Sequence, residues 1–135
     1  MKRVLLDTSG YSGFIRGHPG ITEHVQNAED IYFNPVVLGE LYAGFMLGSI
    51  QVKNEKKLTD FFESSRVSLV QVDDDTAKLY AVIINDLKKN GTPISTNDVW
   101  ISASAMQYGL AVLTLDKDFL RVPQILTICP EAPAS

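Results

Sequence analysis

Residues 93–119 read PISTNDVWISASAMQYGLAVLTLDKDF, and this stretch decides the fold. Ser95, Thr96 and Asn97 carry side-chain oxygens suited to capping a helix start. The following residues are helix-compatible as far as Tyr108, and Gly109 stands where a left-handed C-cap glycine belongs. Leu110–Thr114 is then a short, mostly apolar run of the kind that a parallel sheet buries on both faces. Two carboxylates are out of place here. Asp98 shares a helical face with Ile101, Ala105 and Tyr108, so it points toward the core side. Asp116 follows directly after the strand. An isolated buried carboxylate is expensive unless it is paired or bound to a metal, so the stretch suggests an acidic site.

Working outward, Val4-Leu5-Leu6 is a second apolar run that stops at Asp7-Thr8-Ser9-Gly10. A polar, glycine-containing turn after a strand is a usual ligand position in an open α/β sheet, although Asp7 has the alternative of a turn or capping role. His18-Pro19-Gly20 reads as a turn, residues 21–28 as a short helix and residues 31–33 as a strand. Both histidines read as surface or turn residues. Pro35 opens a helix on which Val36, Glu40, Ala43 and Leu47 form one stripe. The alternative for Glu40 is the stripe's edge, with its flexible stem reaching solvent. Residues 54–66 are a charged amphipathic segment, and Lys53, Lys56 and Lys57 around its start form a small basic cluster, a solvated face or an RNA contact. Residues 67–72 alternate as a third strand. Asp73-Asp74-Asp75 is read as capping the helix that follows, because adjacent residues do not point at one centre. After Asp116, Asp118 is expected to cap a short turn holding Phe119, residues 125–128 to form a last strand, and residues from Pro130 to fray.

Strands alternating with helices define an α/β fold with a parallel sheet. Right-handed crossovers then bring the strand carboxyl ends to one edge. Asp7 and Asp116 end two strands, Asp98 starts the helix leading into the second, and Glu40 comes from a helix over the same edge. Four carboxylates from four segments, without His or Cys, suit a hard divalent cation such as Mg²⁺ or Mn²⁺. Such a site can hold phosphate oxygens and orient water for in-line attack. Thr8, Ser9, Asn97 and Thr114 stand beside the acids as short hydrogen-bonding residues able to orient them.

Composition bounds the rest. At 135 residues, 45% hydrophobic and 21% charged, the chain fits one globular domain. A formal net charge of −4 excludes a generally basic nucleic-acid clamp, though a bound cation changes the local sign at an acidic pocket. The single cysteine, Cys129, permits no intrachain disulfide and fits a reducing cytoplasm. The N-terminal residues lack the apolar stretch of a signal peptide, and no run approaches the ~20 apolar residues of a membrane span.

Together DTS at 7–9, Glu40 on its helix, TNDVWISA at 96–103 and VLTLDKDF at 112–119 resemble a PIN-domain protein, and more narrowly a VapC-type toxin of a toxin–antitoxin pair. The resemblance covers nearly the whole chain. It implies a PIN domain over residues 1–130 with a tail at 131–135, and a five-stranded parallel sheet in the order 3-2-1-4-5 flanked by helices. It also implies a cytoplasmic, Mg²⁺- or Mn²⁺-dependent endoribonuclease that cuts tRNA or ribosomal RNA, is silenced by a cognate antitoxin and forms a homodimer. The family's catalytic acids map onto Asp7, Glu40, Asp98 and Asp116. Asp7 and Asp98 would be the principal metal ligands, Asp116 would complete the shell with Asp118 as competitor, and Glu40 would orient or deprotonate the attacking water. The alternative is a catalytically silent PIN domain that binds RNA or protein. A phosphotransferase with an aspartyl nucleophile fits less well, since Ser9 stands where a second Asp is usual.

Overall fold

Val4, Leu5 and Leu6 are wholly buried because β1 (Arg3–Leu6) is the central strand of a parallel sheet. The computed structural model describes residues 2–130. On one side β1 pairs with β2 (Asp30–Phe33), with Val4 opposite Ile31, and β2 pairs with β3 (Val67–Leu69). On the other it pairs with β4 (Ala111–Leu113), with Leu6 opposite Leu113, and β4 pairs with β5 (Thr127–Ile128). The order β3-β2-β1-β4-β5 is the one the resemblance implies. All pairs are parallel, so the strand carboxyl ends share one edge.

The helices are α1 (Thr8–Ile15), α2 (Pro19–Asn27), α3 (Pro35–Leu47), α4 (Gln51–Phe62), α5 (Asp74–Lys89) and α6 (Thr96–Tyr108). A 3₁₀ turn spans Lys117–Arg121. The main core includes Leu5, Phe33, Ile101 and Leu113, and a smaller one joins Ile83 and Leu87 of α5 to Val99 and Ala103 of α6. Tyr80 and Trp100 stack across the α5–α6 pair at 4.2 Å between ring centroids. Asp73 caps α5 in a reciprocal capping box with Thr76, as expected for that acidic run, and Gly109 ends α6 at φ 66°.

Six local expectations are corrected. The turn expected after Asp7 is the start of α1, whose glycines are demanded by packing: a Cβ on Gly10 would overlap the Leu113 carbonyl, and one on Gly13 would meet Leu115 at 2.8 Å. The buried stripe of α3 runs through Val37 and Leu41, one residue on from the expected one, and Leu47 is 91% exposed. The helix expected over residues 54–66 spans 51–62, and the strands expected at 67–72 and 125–128 shorten to three and two residues. Asp116, not Asp118, caps the 3₁₀ turn: its carboxylate accepts the Asp118 N–H at 2.9 Å. His18 caps α2 through its ring nitrogen. The expected tail, residues 131–135, lies outside the described residues.

Candidate metal centre

Asp7 is placed by two demands at once. Its backbone is extended, so it can end β1 and cap α1, and its carboxylate accepts the Gly10 N–H at 2.8 Å. Thr114 Oγ1 donates to the same carboxylate at 2.9 Å, and Ser9 Oγ lies 2.9 and 3.0 Å from its two oxygens. The side chain is 4% exposed. The capping role that the sequence offered for Asp7 is thus the one it plays, at the carboxyl end of β1. A carboxylate has about four lone-pair directions; three protein donors leave one for a cation.

Glu40 projects from α3 beside the buried stripe. Its Oε1 accepts Thr8 Oγ1 at 2.7 Å and its Oε2 accepts Asn97 Nδ2 at 3.2 Å. The carboxylate therefore ties the first turn of α1 to the first turn of α6. Asp98 stands in that first turn of α6, with Ser95 as N-cap accepting the Asp98 N–H at 3.2 Å. After β4, Thr114 Oγ1 accepts the Asp116 N–H at 2.9 Å and Ser9 Oγ accepts the Leu115 N–H at 3.0 Å. Thr8, Ser9, Asn97 and Thr114 thus each contact an acid or the backbone that carries one.

The electrostatics draw the four acids together. Asp98 is pushed up to about 7, first by burial, then by the negative charge of Asp116, with smaller contributions from Asp7 and Glu40 against the opposing Ser95 bond. Asp7 is also raised, mainly by burial, against the lowering effect of Gly10, Thr114 and Ser9. Carboxylates that repel one another in a desolvated pocket are what a cation relieves.

Asp98, Asp116 and Asp118 each offer an oxygen within 4.8 Å of the other two. An octahedral Mg²⁺ at about 2.0–2.1 Å from its ligands spaces them roughly 3 to 4 Å apart, so small side-chain rotations suffice. All-oxygen donors fit Mg²⁺ or Mn²⁺. Asp7 is not in this closest group and is held by its own donors. Asp118, read from sequence mainly as a cap, is in the group and also lies 3.7 Å from Arg121. Its signal was the Asp-x-Asp spacing after β4, which puts both carboxylates beyond the strand end.

A sheet in this order with acids at its carboxyl edge defines a class, and comparison with known proteins gives the family. The family model for the PIN domain matches residues 4–125, and the chain belongs to the PIN-domain family. Within it, the chain is similar over nearly its whole length to VapC proteins. It is 34% identical to Ribonuclease VapC of Rickettsia bellii, covering 90% of this chain and 92% of that protein. It is 33% identical to Ribonuclease VapC1 of Rickettsia felis, covering 93% and 96%. The crystal structure of DNA-bound VapBC from Salmonella typhimurium contains a chain that superposes with a TM-score of 0.82 at 26% identity, covering 96% of this chain and 98% of that one.

Proposed function

We propose that this chain is the endoribonuclease toxin of a toxin–antitoxin pair, hydrolysing RNA phosphodiester bonds with the help of Mg²⁺ or Mn²⁺. The observation that carries the reading is the meeting of Asp98 with Asp116 and Asp118 at the sheet edge where Asp7 and Glu40 also stand. The ribonuclease names of its relatives support the activity. One PIN domain is assigned to residues 1–130.

In this reading Asp98 and Asp116 hold the cation, with Asp118 joining them and Asp7 giving its one free lone-pair direction. When bound, the cation supplies Lewis-acid polarisation of the phosphate and charge stabilisation for the leaving oxygen. Glu40, fixed by Thr8 and Asn97, orients the attacking water and takes its proton. Ser9 and Thr114 hold Asp7 in one rotamer, so the acid is positioned before substrate arrives. tRNA or ribosomal RNA is the substrate class proposed.

The partner is a cognate antitoxin, supported by the VapBC complex among the matching structures. On the α3–α4 hairpin Met46, Leu47 and Val52 are 68%, 91% and 83% exposed, an apolar surface suited to a protein partner. A homodimer and a cytoplasmic setting complete the proposal. No helix among the described residues is long and apolar enough to cross a membrane.

The test is cleavage of total RNA by the purified protein, with Mg²⁺ or Mn²⁺, with EDTA, and with Asp98→Asn. Discrete fragments that depend on metal and vanish in a folded Asp98→Asn variant are expected. Equal cleavage by the variant would overturn the site. Absence of cleavage by a folded protein that binds the metal would favour the silent binding module.

A further inference from the structure

A cleft of about 180 Å³ opens between α1 and the α3–α4 hairpin, with Ser12, Arg16, Asn54 and Lys57 as its polar lining and Ile15 and Phe45 as apolar walls. Arg16 and Lys57 lie 41 positions apart in sequence, and the fold brings them to one opening. Neither side chain has an ion-pair or hydrogen-bond partner among the described residues, whereas Lys56, next to Lys57, is bound to Asp60 at 3.1 Å. Tyr11 also lines the cleft, and its buried hydroxyl has no partner among the described residues.

Helix α1 connects the cleft to the acidic site. Thr8, which donates to Glu40, stands one helical turn before Ser12 on the same face of α1, a rise of about 6 Å. Arg16 is one further turn along. A strand of RNA with its scissile phosphate at Asp98 and Asp116 and running along α1 would therefore meet two unpaired cations, Arg16 at the end of α1 and Lys57 facing it from α4. In a chain of net charge −4, an anionic strand needs local positive groups to hold it.

We propose that this cleft is a second contact site for the RNA strand, in which Arg16 and Lys57 hold a backbone phosphate flanking the scissile one and Ile15 and Phe45 receive its sugar or base. The proposal rests on the endoribonuclease reading above and adds residues outside the acidic pocket. Phosphate contacts of this kind fix register and orientation. An aromatic ring such as that of Phe45 stacks against a base of any sequence.

The experiment measures binding of a fluorescein-labelled RNA oligonucleotide spanning the bond cut by the wild-type protein, in an Asp98→Asn background that does not cleave. Arg16→Ala and Lys57→Ala are each expected to weaken binding about tenfold and to flatten the slope of log Kd against log salt by about 0.7, one single-strand phosphate contact. Lys56→Ala should bind as the parent does. In the cleaving protein the same two variants should raise KM and leave kcat near its original value. Parental affinity and salt slope in both variants, with wild-type cleavage intact, would overturn this inference alone. Failure of the wild-type protein to cleave RNA would instead overturn the reading beneath it. Loss of antitoxin inhibition at unchanged RNA affinity would assign the cleft to the antitoxin and also overturn the inference.

Discussion

Thr114 Oγ1 donates a 2.9 Å hydrogen bond to Asp7 Oδ2, across 107 positions of sequence. It joins the carboxyl ends of β1 and β4, and the same hydroxyl oxygen accepts the Asp116 N–H. One side chain thus positions two of the acids.

Thr114→Val keeps the shape and removes both bonds. Loss of a buried bond to a charged acceptor costs about 1.5–3 kcal/mol, so a destabilisation near 2 kcal/mol is expected in urea denaturation. Asp7 already has a raised pKa, and the variant raises it further. The loss should therefore grow as pH rises above the ordinary carboxylate range. Equal losses at every pH would mean that the hydroxyl acts through packing alone.

The pH dependence of the metal-free protein follows from Asp98. Its folded pKa, about 7, lies above the ordinary 3.8, so the folded state holds the proton more tightly than the unfolded one. Ionisation then costs stability, which falls as pH rises from about 4 to 7. Asp98→Asn removes that cost and should be more stable than wild type at pH 8 and nearly equal to it at pH 4. Metal competes with the same proton. Affinity for Mn²⁺ should climb up to about pH 7 and then level off, with close to one proton released per ion near pH 6. Calorimetry in buffers of different ionisation enthalpy measures that proton, and its absence would remove Asp98 from the metal site.

Asp116 and Asp118 can be separated. After burial, Asp116 is the largest contributor to the raised Asp98 pKa. Asn caps a helical turn as well as Asp does, so Asp116→Asn should keep the 3₁₀ turn. It is expected to lower the Asp98 pKa, followed by NMR, by more than Asp118→Asn does, with the part due to burial remaining. Both variants should weaken Mn²⁺ binding about tenfold, which corresponds to ~1.4 kcal/mol. Unchanged affinity in either variant would show that its carboxylate is not a ligand.

Gly10→Ala tests the contact that seats α1. The added methyl would overlap the Leu113 carbonyl and lie 3.1 Å from Asp7 Oδ1, so α1 must shift away from β4, at a cost of about 1–3 kcal/mol. Gly39 and Gly44, inside α3 with nothing within 4 Å of where a methyl group would stand, are the contrast. Ala at either should stabilise the isolated chain by roughly 0.5–1 kcal/mol. Thermal denaturation of the three variants decides between these opposite signs.

The sequence is readable where the cause is local. Asp73 and Thr76 cap α5 from three residues apart, and Gly109 ends α6 by its own conformation. The alternation of strands and helices gives the sheet, and acids at strand ends give the edge where the site forms. Other features depend on distant partners. Gly10 and Gly13 look like turn residues until β4 and Leu115 are packed against them. The phase of α3 is hidden because Val36, Val37, Leu38, Leu41 and Tyr42 make it apolar almost all round, and only its packing selects Val37 and Leu41. Glu40 owes its orientation to Thr8 and Asn97, 32 and 57 positions away. Asp116 and Asp118 are equally placed to cap by sequence, and the choice falls to the hydrogen bond that the Asp116 N–H donates to Thr114.

The separation of Asp7 from Thr114 also sets a timetable for synthesis. The acid that opens the chain is translated 107 residues before the hydroxyl that holds it, and β1 lacks its neighbour β4 for the same interval. At about 5–20 residues per second, a ribosome takes roughly 5 to 20 s to cover that distance. Through that time the nascent chain has neither the Asp98–Asp116 pair nor the strand on which it rests. The acidic site can therefore assemble only after β4 and the residues that follow it have been made.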